Sequence, residues 1–251
     1  MKAGFEPLTE RIFRLCVPFE NLYTSVFLIR RAEGDLLADT ATTKEDVERY
    51  ILPALYAGGF SPTGIFISHN HGDHAGGLPY LAEALPSAAI YAVAPAGLSP
   101  ALDARAQRVR EGDRLGEGIA VWQMPGHTAE MAGLYDEKSG TLLSFDGLQL
   151  YGVGRYGTLV SDLPAYLCTL ARVEREGLQR IVAAHHYVGG GAIAVGKTAV
   201  QDYLTACRAA LAGIVAFARA HRTEVPAACA AAWRQEQHLP PVPTETFAQI
   251  V

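Results

Sequence analysis

Three histidines and one aspartate lie within six consecutive positions of "SHNHGDHAGG", directly after the apolar run "TGIFI". The chain has only eight histidines, so a chance polar turn is a poor explanation of this cluster. If the backbone stays extended beyond the strand, His69 and His71 point the same way, because side chains alternate along a strand. A turn at Gly72 then directs Asp73 and His74 towards a second nearby point. Imidazole nitrogens and a carboxylate oxygen suit a divalent ion such as zinc, so the stretch predicts a metal site.

Strand-like and helix-like segments alternate along the whole chain, without an internal repeat or a low-complexity linker. The strand-like runs are short and rich in β-branched and aromatic residues, as in "YTSVFLIRR", "TLLSFD" and "QRIVAAH". Helical spacing marks "KEDVERYILPALYAGGF", which contains Pro53, and "LPAYLCTLARVEREG". A long Ala-rich helix is predicted from about Lys197 to Arg219. These patterns predict one α/β domain over residues 1–251, with a C-terminal helical tail from about residue 197.

Composition narrows the classes of function that the chain can have. With 251 residues, 49% of them hydrophobic and 19% charged, the chain can bury a sizeable core. The net charge of -5 and the lack of a basic run argue against nucleic-acid and membrane-surface binding. Four widely spaced cysteines, an N-terminus without a signal-peptide pattern and the lack of a long apolar run predict a cytoplasmic protein without a membrane span.

Four further motifs surround or follow the histidine cluster. Asp39 stands in "LLADT", His127 in "MPGHT", Asp146 in "LLSFDG" and His185 in "RIVAAHH", each next to a predicted strand or turn. The cluster itself has the form H-x-H-x-D-H. Together the five motifs, in this order, resemble those of the metallo-β-lactamase superfamily. The resemblance extends over about 150 residues and therefore covers most of the chain.

The resemblance implies an α/β fold, a four-layer αββα sandwich with metals at one edge of its two sheets. It also implies a complete set of ligands for two metal ions. One ion would be held by His69, His71 and His127, the second by Asp73, His74 and His185, and Asp146 would bridge the two. Asp39 is expected to orient a ligand histidine without touching metal. The family pattern aligns with His185 as the last ligand, although the adjacent His186 remains an alternative.

A centre of this kind implies metal-assisted hydrolysis. Two divalent ions, with zinc expected and iron or manganese as alternatives, can generate a bridging hydroxide that attacks an ester-like bond. Asp73 is expected to act as a catalytic residue, because it would both bind metal and orient the nucleophile. The chain has no G-x-S-x-G elbow, and the mechanism requires no serine or cysteine nucleophile. The predicted function is therefore hydrolysis of a thioester, lactone or related bond in a small molecule.

The substrate is less constrained than the chemistry. Thioesterase and lactonase branches often carry "PGHTPGH", whereas this chain has "PGHTAEM", with Met131 in place of the second histidine. Lactonases also tend to place a tyrosine three residues after the bridging aspartate, where this chain has Gln149. Tyr151, Tyr187 and His186 are predicted to line the substrate pocket. The sequence also allows a homo-oligomer, because the Ala-rich helix could pack on the domain or on a partner.

Three alternative functions compete with hydrolysis. An iron-dependent dioxygenase would use the same fold, and a non-catalytic metal-binding protein would keep the ligands without turnover. The third is suggested by "GAIAVGKT", which matches the phosphate-binding loop pattern from Gly191 to Thr198. No strand directly precedes that stretch, because "QRIVAAH" ends at His185, so it is interpreted as a Gly-rich turn that leads into a helix. A helix start there, with Lys197, would favour an anionic group of the substrate.

Overall fold

The computed structural model describes residues 4–94, 100–221 and 225–250. These residues form two compact units, which we call unit 1 (Met1–Gln123 and Leu134–Glu137) and unit 2 (Met124–Gly133 and Lys138–Val251). The described strands belong to one sheet of seven strands and one of five. The predicted single domain over 1–251 stays a prediction.

Unit 1 contains the seven-stranded sheet, whose strands follow one another in chain order. The strands are β1 (Glu6–Pro7), β2 (Ile12–Phe19), β3 (Leu22–Ile29), β4 (Asp35–Ala38), β5 (Pro62–Ile67), β6 (Ala89–Ala92) and β7 (Ala106–Arg108). Neighbouring strands are antiparallel from β1 to β4 and parallel from β4 to β7. Parallel pairing places the carboxyl ends of β4 and β5 at the same edge, where Asp39 and the histidine cluster begin. The strand β8 (Ile119–Gln123) also belongs to unit 1.

The helices of unit 1 connect these strands and bury apolar residues against the sheet. They are α1 (Lys44–Asp46), α2 (Leu52–Gly58), α3 (Gly72–Ala75), α4 (Leu78–Ala84) and α5 (Pro100–Asp103), and a π-helical turn (Val47–Ile51) joins α1 to α2. Thr43 and Asp46 form a capping box at the start of α1. The predicted helix over "KEDVERYILPALYAGG" therefore exists, with the π-helical turn just before Pro53, whose ring lacks an N–H donor.

Unit 2 contains β10 (Thr141–Phe145), β11 (Arg180–Tyr187) and β12 (Gly191–Val195), while β9 (Ala132–Asp136) crosses the boundary between the units. Strands β10 and β11 are parallel, and the connection between them includes α6 (Leu163–Val173). Their carboxyl ends therefore lie together, which brings Asp146 and His185 to one edge. The remaining helices are α7 (Lys197–Ala220), α8 (Pro226–Glu236) and α9 (Thr244–Ala248). Trp233, Val242 and Phe247 pack with Ile214 in a buried cluster of this helical region.

The segment that matches a phosphate-binding loop is a strand followed by a helix. Strand β12 pairs antiparallel with β11, with Ile193 opposite Val182, so its backbone takes part in a sheet. Gly196 has a φ of 88° and immediately precedes α7, which begins at Lys197. A phosphate loop needs backbone N–H groups that point at an anion. A paired strand between the two glycines does not provide that arrangement, which argues against the phosphate-loop interpretation.

Within the described residues, α7 is the one helix that is long and apolar enough to cross a membrane, judged by length and composition alone. A helix buried in a protein core passes the same test. Helix α7 buries Leu204, Leu211 and Ile214, and its Arg208 forms an ion pair with Glu174. These contacts fit a helix that packs against the protein, and the predicted cytoplasmic location stays a prediction.

Candidate metal centre

The histidine cluster of unit 1 is shaped by the change from β5 to α3. His69 follows the strand closely, His71 is extended at the start of α3, and Asp73 and His74 lie on the first turn of that helix. The Nε2 atom of His69 is 3.0 Å from Nδ1 of His71, and Nε2 of His74 is 3.5 Å from an oxygen of Asp73. Six residues thus bring four side chains with suitable ligand atoms close together.

Asp39 supports this group from the neighbouring strand. Its carboxylate is fully buried and accepts hydrogen bonds from the backbone N–H and the hydroxyl of Ser68, both at 2.8 Å. The same carboxylate lies 2.6 Å from Nδ1 of His74, which leaves Nε2 as the metal-binding atom of that ring. Burial raises the pKa of the Asp39 carboxyl, while His74 and Ser68 act in the opposite direction. Asp39 therefore orients the ring of His74, a predicted metal ligand.

In unit 2, Asp146 lies between two histidines. One carboxylate oxygen is 3.5 Å from Nε2 of His185, and the other is 3.6 Å from Nε2 of His127. All three side chains are buried. A carboxylate that presents one oxygen to each of two imidazole groups is suited to bridge two cations. The next residue along β11, His186, is exposed, and side chains alternate along a strand. The strand therefore presents His185, not His186, to Asp146.

Tyr187 holds the Asp146 carboxylate. Its hydroxyl donates a hydrogen bond of 2.9 Å to the oxygen of Asp146 that also faces His185. Burial raises the pKa of Tyr187 well above its ordinary value, and the charge of Asp146 adds to the shift. The hydroxyl therefore stays protonated and remains a donor. The structure places Tyr187 buried against Asp146, a predicted metal ligand, and its predicted role as a wall of the substrate pocket stays a prediction.

The ring of His127 is held by a loop that follows β10. Its Nδ1 atom lies 3.0 Å from the carbonyl oxygen of Leu159 and 2.7 Å from the amide nitrogen of Gln149. A donation from Nδ1 to the Leu159 carbonyl leaves Nε2 as the metal-binding atom. The amide oxygen of Gln149 accepts from the N–H of Leu159 at 2.9 Å. The glutamine at the position where lactonases carry tyrosine therefore holds Leu159, whose carbonyl accepts from His127.

Thr246, on α9, holds the loop segment that contains Leu159. Its hydroxyl accepts from the N–H of Val160 at 2.9 Å and donates to the carbonyl of Thr158 at 3.0 Å. Thr246 is almost fully buried. Thr246 thus holds the two neighbours of Leu159, whose carbonyl faces the ring of His127, although it lies about 120 positions after that histidine. Sequence reasoning missed Thr246, Gln149 and the role of Tyr187, because no local pattern marks such long-range contacts.

The donor set fits divalent metal ions. The histidine and aspartate side chains that could hold such ions are His69, His71, Asp73, His74, His127, Asp146 and His185. Imidazole nitrogen and carboxylate oxygen are ordinary ligands of zinc and related ions. His74 and His127 also have acceptors at Nδ1, as metal-bound histidines usually do.

Comparison with known proteins identifies the family of the chain. Residues 20–191 match the family model of the metallo-beta-lactamase superfamily, which is more than half of the chain. The chain therefore belongs to the metallo-β-lactamase superfamily.

Two curated relatives illustrate the range of the family. A hydroxyacylglutathione hydrolase of Fuscovulum blasticum is 32% identical over 144 residues, which cover 56% of this chain and 54% of that protein. An atrochrysone carboxyl ACP thioesterase of Emericella nidulans is 26% identical over 217 residues, which cover 85% of this chain and 63% of that protein. The chain thus spans little more than half the length of these relatives.

Solved structures show the same fold. A metallo-beta-lactamase family protein of Thermus thermophilus superposes with a TM-score of 0.63 at 20% identity, over 84% of this chain and 83% of that chain. A metallo-beta-lactamase of Pontibacter korlensis has a TM-score of 0.63 at 15% identity, over 82% and 99%. The predicted α/β fold class, the metallo-β-lactamase sandwich, is confirmed.

The role of Asp39 can be tested with Asp39→Asn. An amide would place a donor opposite Nδ1 of His74 and favour the tautomer that protonates Nε2. We expect metal affinity to fall about 10- to 100-fold, as is usual when the outer partner of a ligand histidine is lost. Chelator competition measures the affinity. Ser68→Ala, which keeps the carboxylate, should have a smaller effect, and equal affinities in all three proteins would contradict the role.

Thr246→Val tests the support of His127 from α9. Valine has the shape of threonine but cannot pair with the backbone of Thr158 and Val160, so the loop should shift. We expect metal affinity to fall by about tenfold, at the low end for outer partners of a ligand, and Thr246→Ser to restore it. Urea unfolding of the metal-free proteins measures the separate loss of stability. A valine variant that is less stable but binds metal like the wild type would show that Thr246 supports the fold alone.

Proposed function

We propose that this chain is a metal-dependent hydrolase that cleaves a thioester or a related ester-like bond in a small molecule. Two divalent ions, expected to be zinc, would be bound by the seven ligands predicted from the motifs. The observation that carries the proposal is the full set of ligands, with His74, His127 and Asp146 each held in orientation by a buried partner. A protein that merely retained the fold would not need such support.

The relatives favour a thioester among the ester-like bonds. The Fuscovulum blasticum relative is named for hydrolysis of an acylglutathione and the Emericella nidulans relative as a thioesterase. The likeness to solved β-lactamase structures is below 25% identity and supports the fold alone. A thioester of a small carrier is therefore the substrate class that we infer.

The chain's own residues would orient water and substrate. Asp73 is 20% exposed, whereas its neighbour His74 is fully buried, so Asp73 can contact water. The hydroxyl of Thr24 lies 3.4 Å from one oxygen of Asp73, which restrains the carboxylate. Asp73 would thus orient the attacking water through its carboxylate, and Tyr187 would keep Asp146 in place. When bound, divalent ions of this kind lower the pKa of a coordinated water towards about 7 and polarise a carbonyl oxygen.

His71→Ala tests the proposed centre. Loss of one imidazole from the first metal site should remove the ion of that site and abolish thioester hydrolysis. Metal content per chain and turnover of a panel of acyl thioesters, lactones and phosphoesters measure both effects. His238→Ala is the matched control, since this histidine is exposed and lies outside the predicted ligand set. Full metal content and activity in His71→Ala would contradict the mechanism.

The same panel separates the alternatives. Bound iron together with oxygen consumption would indicate the dioxygenase, and a fully loaded protein that cleaves no substrate would indicate the non-catalytic metal-binding protein. A small-molecule substrate, the absence of nucleic-acid and membrane partners, a cytoplasmic location and the oligomeric state remain predictions.

A further inference from the structure

We propose that a cavity in the helical part of unit 2 binds the apolar acyl group of the substrate, an aromatic ring or a short alkyl chain. This inference rests on the proposed thioester hydrolysis and names the part of the substrate that is selected. The cavity has a volume of about 260 Å³. The described residues that line it are Tyr151, Gly213, Phe217, Trp233, Gln237 and Leu239.

Half of the described lining residues are aromatic. Phe217 and Trp233 meet edge to face, with ring centroids 5.1 Å apart and planes at 84°. Gly213 lies one turn before Phe217 on α7, and its lack of a side chain leaves part of the space open. A Cβ atom there would be 3.4 Å from the hydroxyl of Tyr151, which is ordinary contact. A glycine inside a helix is less stabilising than alanine, and here it leaves part of the cavity open.

The lining favours a neutral ligand. None of the described lining residues is charged. The indole N–H of Trp233 is already donated to the carbonyl of Pro240 at 2.9 Å. Tyr151 and Gln237 are then the side chains that offer polar groups. Burying an unpaired charge is costly, so the charged carrier of a thioester is excluded from this cavity. Since a cavity of about 150 Å³ binds benzene, this volume has room for a substituted ring or a short acyl chain.

The segment that carries Tyr151, a wall of the cavity, is paired with the residue that follows β11, the strand that carries His185. The N–H of Tyr151 faces the carbonyl of Val188 at 3.4 Å, and the N–H of Val188 donates to Gly152 at 3.0 Å. Val188 is three residues after His185, a span of at most about 10 Å of extended chain. Tyr151 itself is five residues after Asp146. The backbone of Tyr151 therefore lies beside the end of the strand that carries His185, and the acyl carbonyl is proposed to lie on this side of the cavity.

Gly213→Leu tests the cavity by filling it. Acetyl and benzoyl thioesters of the same thiol provide matched substrates, and kcat and KM are measured for both. We expect KM for the benzoyl thioester to rise about tenfold or more, while KM for the acetyl thioester stays unchanged. Gly213→Ala should give a smaller rise in the same direction. Ala212→Leu is the matched control, because it adds the same side chain to the exposed side of α7.

Fluorescence of Trp233 provides a readout that does not depend on turnover. In a Trp122→Phe background Trp233 is the one remaining tryptophan. Titration with methyl benzoate should change its emission saturably, and Gly213→Leu should abolish the change. The inference would be overturned if the parent showed no saturable change and if KM for the benzoyl thioester were equal in the parent and in Gly213→Leu. The hydrolase proposal would still stand in that case. If the wild type cleaves neither thioester, the proposed function fails. Saturable binding of methyl benzoate that Gly213→Leu abolishes would still support the ligand site.

Discussion

The buried carboxylate of Asp39 is the constraint on which the first group of ligands depends. A fully buried charge is unfavourable unless it is paired and hydrogen-bonded, and Asp39 is satisfied by two donors of Ser68 and by His74. This arrangement requires β4 and β5 to be parallel neighbours that end at the same edge. The same group of hydrogen bonds therefore holds the ends of β4 and β5 together and orients the ring of His74, a predicted metal ligand.

In unit 2, the predicted ligands are held in orientation by residues that are far apart in sequence. Asp146 is held by Tyr187 from the next strand, and His127 by a loop that Thr246 fixes. The C-terminal helices therefore support the metal ligands, and through Trp233 they also line a cavity. The same helices therefore take part in holding the predicted ligands and in lining the cavity that we infer selects the acyl group.

The departures from related branches also have a structural explanation. Gln149 stands where lactonases carry tyrosine; it is buried, and its amide oxygen accepts from the N–H of Leu159. Met131 stands where some branches of the family have a second histidine and is fully buried. Both side chains therefore have a place in the protein interior.

From its own residues the sequence predicted a metal site at the histidine cluster, because metal-binding side chains recur there at short spacing after an apolar strand. The remaining ligands and the fold class were predicted through the family resemblance, and the fold class is confirmed. The sequence also indicated the helix that begins at Lys197. Only the tertiary structure decided that His185 faces Asp146, that "GAIAV" is a paired strand, and that Thr246 supports His127. These outcomes depend on strand register and on contacts between residues up to 88 positions apart. Such contacts leave no periodic trace in the chain, because each is set by the packing of elements and not by local spacing.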